Sequence, residues 1–211
     1  MSDDPPIAGR PRPTGPSTSQ QLEDWLRSDG DKTLEALIEV FEEKSFALLF
    51  VLLLGVPALP MPTGGATHVF EVIAILLAVQ LVLGRDTIWL PERWRRIELA
   101  GDKRERFLAA LLRMTRRLER VSRPRLTFLF GHRASNAVFG LLVAGGSLAA
   151  FLAPPFTGLD TLPALSVVLL SLAVLLEDAV GVVVALVVGV TGVALEIFVG
   201  GKALEGLGDL L

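Results

Sequence analysis

Five stretches of this chain contain no Asp, Glu, Lys or Arg: Phe46–Phe70, Val72–Gly84, Ala134–Leu159, Thr161–Leu176 and Ala179–Leu195. The hydrocarbon core of a bilayer takes about 20 apolar residues per helical crossing, and fewer where a helix stops partway. A soluble domain of 211 residues has no need of so many such runs. In lipid, a segment must satisfy its backbone polar groups internally, which selects helices here. The expected class is therefore all-α: a polytopic helical membrane protein. It comprises two helical hairpins with Pro/Gly turns, a final transmembrane helix and a basic amphipathic cytoplasmic helix.

Composition shifts divide the chain. Residues 1–18 are rich in Pro, Ser, Gly and Thr and are expected to form a disordered tail, having too little apolar surface to offset the entropy of ordering. Residues 19–45 are expected to be cytoplasmic or interfacial helices. Thr18-Ser19-Gln20-Gln21 resembles a capping box, and Leu22, Trp25 and Leu26 share one face. After Asp29-Gly30-Asp31, the residues Leu34, Leu37, Ile38 and Phe41 recur at helical spacing, and this helix is expected to run on into the apolar stretch at Phe46. Residues 46–84 make the first membrane hairpin, turned by Pro57, Pro60, Pro62 and Gly64-Gly65, because proline cannot continue the helical ladder. Re-entrant helices and tilted spans both fit this hairpin.

Residues 85–133 hold fourteen of the twenty basic residues against six acidic ones. The positive-inside rule places this insert in the cytoplasm. Within it Phe107, Leu108, Leu111, Leu112, Thr115 and Leu118 form one helical face, with Arg113, Arg116, Arg117 and Arg120 largely away from it. A basic amphipathic helix of this kind lies on anionic headgroups, and no nucleic-acid partner is expected. Residues 134–177 make the second hairpin, 178–200 the last transmembrane helix and 201–211 an external tail. The N-terminus is then cytoplasmic. No apolar run precedes Phe46, so no cleavable signal peptide is expected.

The two hairpins resemble each other. A shift of 93 residues carries Pro62-x-x-Gly65 onto Pro155-x-x-Gly158 and Val72–Leu83 onto Leu165–Leu176. A duplication of helix, turn and returning helix is expected, in the manner of transporter repeats.

Several chemistries are excluded or disfavoured. Cysteine is absent and the histidines are His68 and His132, so neither disulfides nor a metal centre is expected, and no cofactor. There is no Walker A loop, Gly-x-Ser-x-Gly elbow or His-Glu-x-x-His motif, and no catalytic residue is assigned. The informative residue is Glu71, an acid in a membrane segment, with His68 three residues before it on the same helical face. The pair fits a site that takes up and releases a proton. It equally fits an interfacial anchor near a helix N-terminus, where the dipole favours an acid. Thr63, Gly64 and Gly65 could leave backbone amides free for an anionic headgroup or simply make a tight turn. Gln80 fits a polar path lining or a hydrogen bond across a helix interface, Arg85 and Asp178 fit an ion pair between the repeats, and Glu196 fits the outer interface. Gly140, Gly145 and Gly146, or Gly189 and Gly192, offer close-packing faces for a homodimer.

Beyond these single positions, Val56-Pro57-Ala58-Leu59-Pro60-Met61-Pro62-Thr63-Gly64, followed by Leu77-Ala78-x-Gln80-Leu81-x-Leu83-Gly84-Arg85, resembles the ExoD family of bacterial exopolysaccharide-synthesis membrane proteins. Trp89-Leu90-Pro91, the arginine-rich run at 116–125 and Leu162-Pro163-Ala164 extend the likeness over about residues 30–200. The resemblance implies a small bacterial inner-membrane protein linked to exopolysaccharide production and, in some members, to alkaline tolerance. It supplies no catalytic residues. The function expected is support of polysaccharide synthesis or export, as a transporter of a lipid-linked or polysaccharide precursor or a coupled ion. A non-transporting accessory that recruits synthesis enzymes, and a proton or cation transporter for alkaline pH homeostasis, are the alternatives.

Overall fold

The computed structural model describes residues 17–28, 30–31, 33–41, 44–59, 67–85, 87–96, 109, 112–113, 115–116, 133–153 and 157–208. Their regular elements are the helices α1 (Thr18–Arg27), α2 (Leu34–Phe41), α3 (Ser45–Leu54), α4 (His68–Val82), α5 (Glu92–Arg95), α6 (Arg133–Leu152), α7 (Thr161–Leu175) and α8 (Ala179–Gly208). Two are long and apolar enough to cross a membrane: α6, with 20 residues, and the first 22 residues of α8, Ala179–Gly200. At about 1.5 Å per residue, α4 and α7 reach only some three-quarters of a hydrocarbon core, with 15 residues each.

The centre is α3. It is apolar all round, without the one-sided stripe of a surface helix, and Phe50, Val51 and Leu54 are completely buried. Helices α4, α6 and α7 complete a ring with it: α3 packs on α4 and α7, and α6 bridges α4 and α7. Phe50 of α3 meets Phe139 of α6 edge to face at 5.7 Å across the ring. Helix α8 lies outside, against α7.

Small residues set the helix spacing, as they do where lipid removes any hydrophobic force between helices. A Cβ on Gly140 would stand 3.0 Å from the Ala78 carbonyl oxygen and 2.9 Å from a Val82 methyl. Gly146 meets Val167, Gly181 meets Ala173, Gly189 meets Ser166, and Gly192 meets Leu162 and Pro163. The close-packing faces of Gly140, Gly146, Gly189 and Gly192, considered above for a homodimer, are thus occupied within the chain. Gly145 has open space around it.

Helices α4 and α7 are closed by matching caps. Thr161 follows His68, and Leu175 follows Val82, by 93 residues. At the C-terminus of α4, the amides of Leu83, Gly84 and Arg85 donate to the carbonyls of Val79, Leu81 and Gln80. At the C-terminus of α7, the amides of Leu176, Glu177 and Asp178 donate to those of Leu172, Val174 and Ala173, each again 93 residues on. Gly84 and Glu177 both take the left-handed backbone such a cap requires.

Three boundaries differ from expectation. The capping box is one residue earlier: Ser17 Oγ accepts from the Gln20 amide and Gln20 Oε1 accepts from the Ser17 amide. Helix α2 ends at Phe41 and a separate α3 opens at Ser45. Helix α8 continues to Gly208, so most of the expected tail at 201–211 extends the last helix. The turn residues Pro60, Pro62, Thr63, Gly64 and Gly65 lie outside the described residues, as do Arg117 and Arg120 and the expected tail as far as residue 16.

Candidate functional site

The first turn of α4 carries the site. Thr67 caps this helix, and its carbonyl accepts from the amides of Phe70 and Glu71. One turn in, the Glu71 side chain points into the ring and is completely buried. Its Oε2 lies 2.7 Å from His68 Nδ1, while its Oε1 has no hydrogen-bond partner among the described residues. The imidazole is about one-quarter exposed and sits against the Phe151 ring of α6, with centroids 5.2 Å apart. The geometry therefore brings His68 and Glu71 together, with the carboxylate inside the bundle. Desolvating a carboxylate is costly unless it is paired and fully hydrogen-bonded, and here one oxygen is left over.

Two further acids stand at this end of the bundle. Asp160 is the N-cap residue of α7, and its carboxylate is near enough to act electrostatically on both Glu71 and Glu196. Among the described residues, the buried Oε1 of Glu196, on α8, has no partner. On α6, the Ser147 hydroxyl is completely buried and also without a partner among them. Sequence reasoning passed over Asp160 and Ser147 and read Glu196 as interfacial. The one available signal was the Ser147 hydroxyl, directly after Gly145-Gly146 in the middle of a charge-free run. Among the described residues, no three His, Asp or Glu side chains converge as a metal site.

The other candidates are placed elsewhere. Gln80 makes its hydrogen bonds to a loop segment rather than across a helix interface. Its Oε1 accepts from the Trp89 amide at 2.8 Å and its Nε2 donates to the Trp89 carbonyl at 3.2 Å. It thereby holds the extended segment whose Ile88 and Leu90 are buried in the core. Arg85 is exposed, and Asp178 caps α8 by accepting from the Val180 amide, so no ion pair joins them. Arg113 is exposed, whereas Arg116 pairs with Glu23 of α1 and the neighbouring Thr115 is buried. That pair ties the basic insert to the N-terminal helix.

At the opposite end, Lys44 Nζ donates to the Leu175 carbonyl at 3.1 Å and pairs with Glu177 at the same distance. The Thr18 hydroxyl donates to that carbonyl too. The end of α7 is thus bound to both α1 and α3. An apolar groove of about 490 Å³ runs between α6, α7 and α8, and Ser166 is the one polar side chain lining it.

A ring of apolar helices packed through glycine encloses a wholly buried acid, and two helices, α6 in the ring and α8 outside it, are long and apolar enough to cross a bilayer, features that point to a membrane protein. The family described as "Exopolysaccharide synthesis, ExoD" matches residues 18–198, and the chain belongs to it. A cyanobacterial relative, the uncharacterized protein slr1875 of Synechocystis, is 30% identical over 82% of this chain and 84% of its own length. Protein ExoD of Rhizobium meliloti is 33% identical over 69% of this chain, and the match spans 61% of that protein's length. No solved structure matches. The family description names a process, exopolysaccharide synthesis, and no reaction.

Proposed function

We propose that this chain is a multi-pass protein of the bacterial inner membrane that supports exopolysaccharide synthesis or export without catalysing a covalent reaction. It acts as a small transporter of a polysaccharide precursor, lipid-linked or free, or of an ion coupled to it, with Glu71 and His68 as the working pair. The observation that carries this reading is the wholly buried Glu71 carboxylate with one oxygen unpaired. Intramembrane acids are costly and by default mark a transported species or its counter-ion.

The matched caps of α4 and α7 support an internal duplication. Coincident Pro and Gly positions can arise by chance in membrane hairpins, whereas six backbone hydrogen bonds at one constant offset are a stronger coincidence. The positive charge of residues 85–133 favours a cytoplasmic insert and N-terminus, with Arg113 and Arg116 near anionic headgroups. The His68–Glu71 end then faces the outer side of the membrane.

The test is complementation of a deletion strain with wild type, Glu71→Gln or a double Arg113→Gln/Arg116→Gln variant at matched membrane levels. Secreted polysaccharide is assayed at neutral pH, and growth at alkaline pH. Loss of polysaccharide with Glu71→Gln alone supports the transporter. Loss with the arginine variant alone moves the reading to an accessory that recruits synthesis proteins through the basic insert. Loss of alkaline growth alone moves it to pH homeostasis.

A further inference from the structure

Glu71 Oε1 and Ser147 Oγ are both buried and, among the described residues, without hydrogen-bond partners, and both residues have no exposed surface. They belong to one interface. Helices α4 and α6 are antiparallel: His68 packs on Phe151 at one end, and Gly140 packs on Ala78 and Val82 at the other. Gly140, Ser147 and Phe151 recur at helical spacing along the side of α6 that faces α4. Glu71, Ala74 and Ala78 do the same along α4, and all three are completely buried. Ser147 lies one turn before Phe151, and Glu71 one turn after His68, so the two orphan oxygens stand at the same height.

Two buried polar atoms left unsatisfied at one level of a packed interface call for an occupant between them. One carboxylate oxygen and one hydroxyl oxygen are hard donors and select a cation. A single buried negative charge matches a single positive charge, since an excess of either sign is costly in a dry interior. Among the described residues, titratable side chains at this end come from α4 (His68, Glu71), the start of α7 (Asp160) and α8 (Glu196, with the exposed Lys202 further out over the Phe198 ring), and α3 and α6 add none. Gly192 of α8 packs on Leu162 and Pro163, which puts Glu196, one turn on, level with Asp160 at the rim. Acids at a rim raise the local concentration of cations.

We propose that Glu71 and Ser147 form a binding site for one monovalent cation, a proton or an alkali ion, loaded past Asp160 and Glu196. This rests on the reading of Glu71 as the working group, and it names the ion that group takes.

The experiment uses the purified full chain in nanodiscs. Equilibrium binding of radioactive sodium is measured against choline, and a parallel infrared titration follows the carbonyl stretch of protonated carboxylic acids. If the ion is sodium, wild type binds it saturably. Glu71→Gln weakens binding by about tenfold or more and Ser147→Ala by about threefold, while Asp160→Asn and Glu196→Gln slow loading. If the ion is a proton, sodium does not bind. An acid carbonyl band then titrates in wild type, disappears in Glu71→Gln and shifts its midpoint by at least half a pH unit in Ser147→Ala (about threefold in proton affinity). Sodium binding indifferent to Glu71→Gln, or neither signal, overturns the proposal and leaves a bridging water as the occupant. Loss of polysaccharide in Glu71→Gln cells together with neither signal would overturn the cation site while the function proposed above stands.

Discussion

Glu177 follows Gly84 by 93 residues and takes the same left-handed backbone, φ 55° against 74°, at the foot of an identical helix cap. Glycine adopts that conformation without strain, whereas a side chain there costs roughly 1–2 kcal/mol. The Lys44 ion pair at 3.1 Å offsets part of this, although its partial exposure limits it to about 1 kcal/mol or less.

The cap geometry predicts opposite outcomes for reciprocal changes. Nothing stands within 4 Å of where a Gly84 Cβ would sit, so Gly84→Ala tests the backbone alone and should lower stability by about 1 kcal/mol. Glu177→Gly should be neutral or slightly stabilising, since relief of strain and loss of the ion pair nearly cancel. Thermal unfolding of the detergent-solubilised protein reads both. A neutral Gly84→Ala would show that α4 does not end in this cap.

Helix spacing gives a second contrast, between two glycines of one helix. A methyl at Gly140 would crowd the Ala78 carbonyl oxygen and the Val82 amide nitrogen, which belong to backbone and cannot rotate away. Gly140→Ala should cost about 1–3 kcal/mol by forcing α4 and α6 apart. Gly145→Ala enters open space and should be neutral or better, gaining helix propensity. Equal melting temperatures for the two variants would contradict the α4–α6 contact.

Gln80 offers a third. Its amide supplies both hydrogen bonds that hold the Trp89 backbone. Gln80→Leu should expose the 87–91 segment to proteolysis or hydrogen exchange and cost roughly 1–3 kcal/mol. Gln80→Glu keeps the acceptor for the Trp89 amide but loses the donor, and should fall between. Should Gln80→Leu instead abolish polysaccharide secretion while leaving the segment protected, Gln80 would line a path after all.

How much of this was readable from the residues depends on the physics involved. Charge-free runs of this length announce apolar helices, and the helical class followed from them. The 93-residue offset was read from Pro and Gly positions, of which Pro62, Gly65 and Pro155 lie outside the described residues; the caps of α4 and α7 share the same offset. His68 and Glu71 were paired by helical spacing alone. Ser147 and Asp160 were not found, because joining them to Glu71 requires knowing that α6 and α7 pack at that height, and apolar helices carry little information about their register. Arg85 and Asp178 failed as a pair for a related reason. Both stand at equivalent helix ends, yet Asp178 is used locally, in capping α8.

The last prediction separates stability from function at Glu71. A structural acid would be fully paired, and removing it would unfold the protein. Here one oxygen is buried and unpaired among the described residues, so the fold carries the desolvation cost with incomplete return. Since the His68 left behind is partly exposed and can turn to water, Glu71→Leu should leave the thermal stability of the purified chain unchanged or slightly raised, while polysaccharide secretion by complemented cells falls to that of the deletion strain. Glu71→Gln should match it in function with a smaller effect on stability, since Gln can still accept a hydrogen bond from His68. Functional sites commonly sacrifice stability in this way, and a variant that is stable yet inactive is their signature. If Glu71→Leu melts well below wild type, the His68–Glu71 bond is holding α4 in place, and the working group must be sought elsewhere in the bundle.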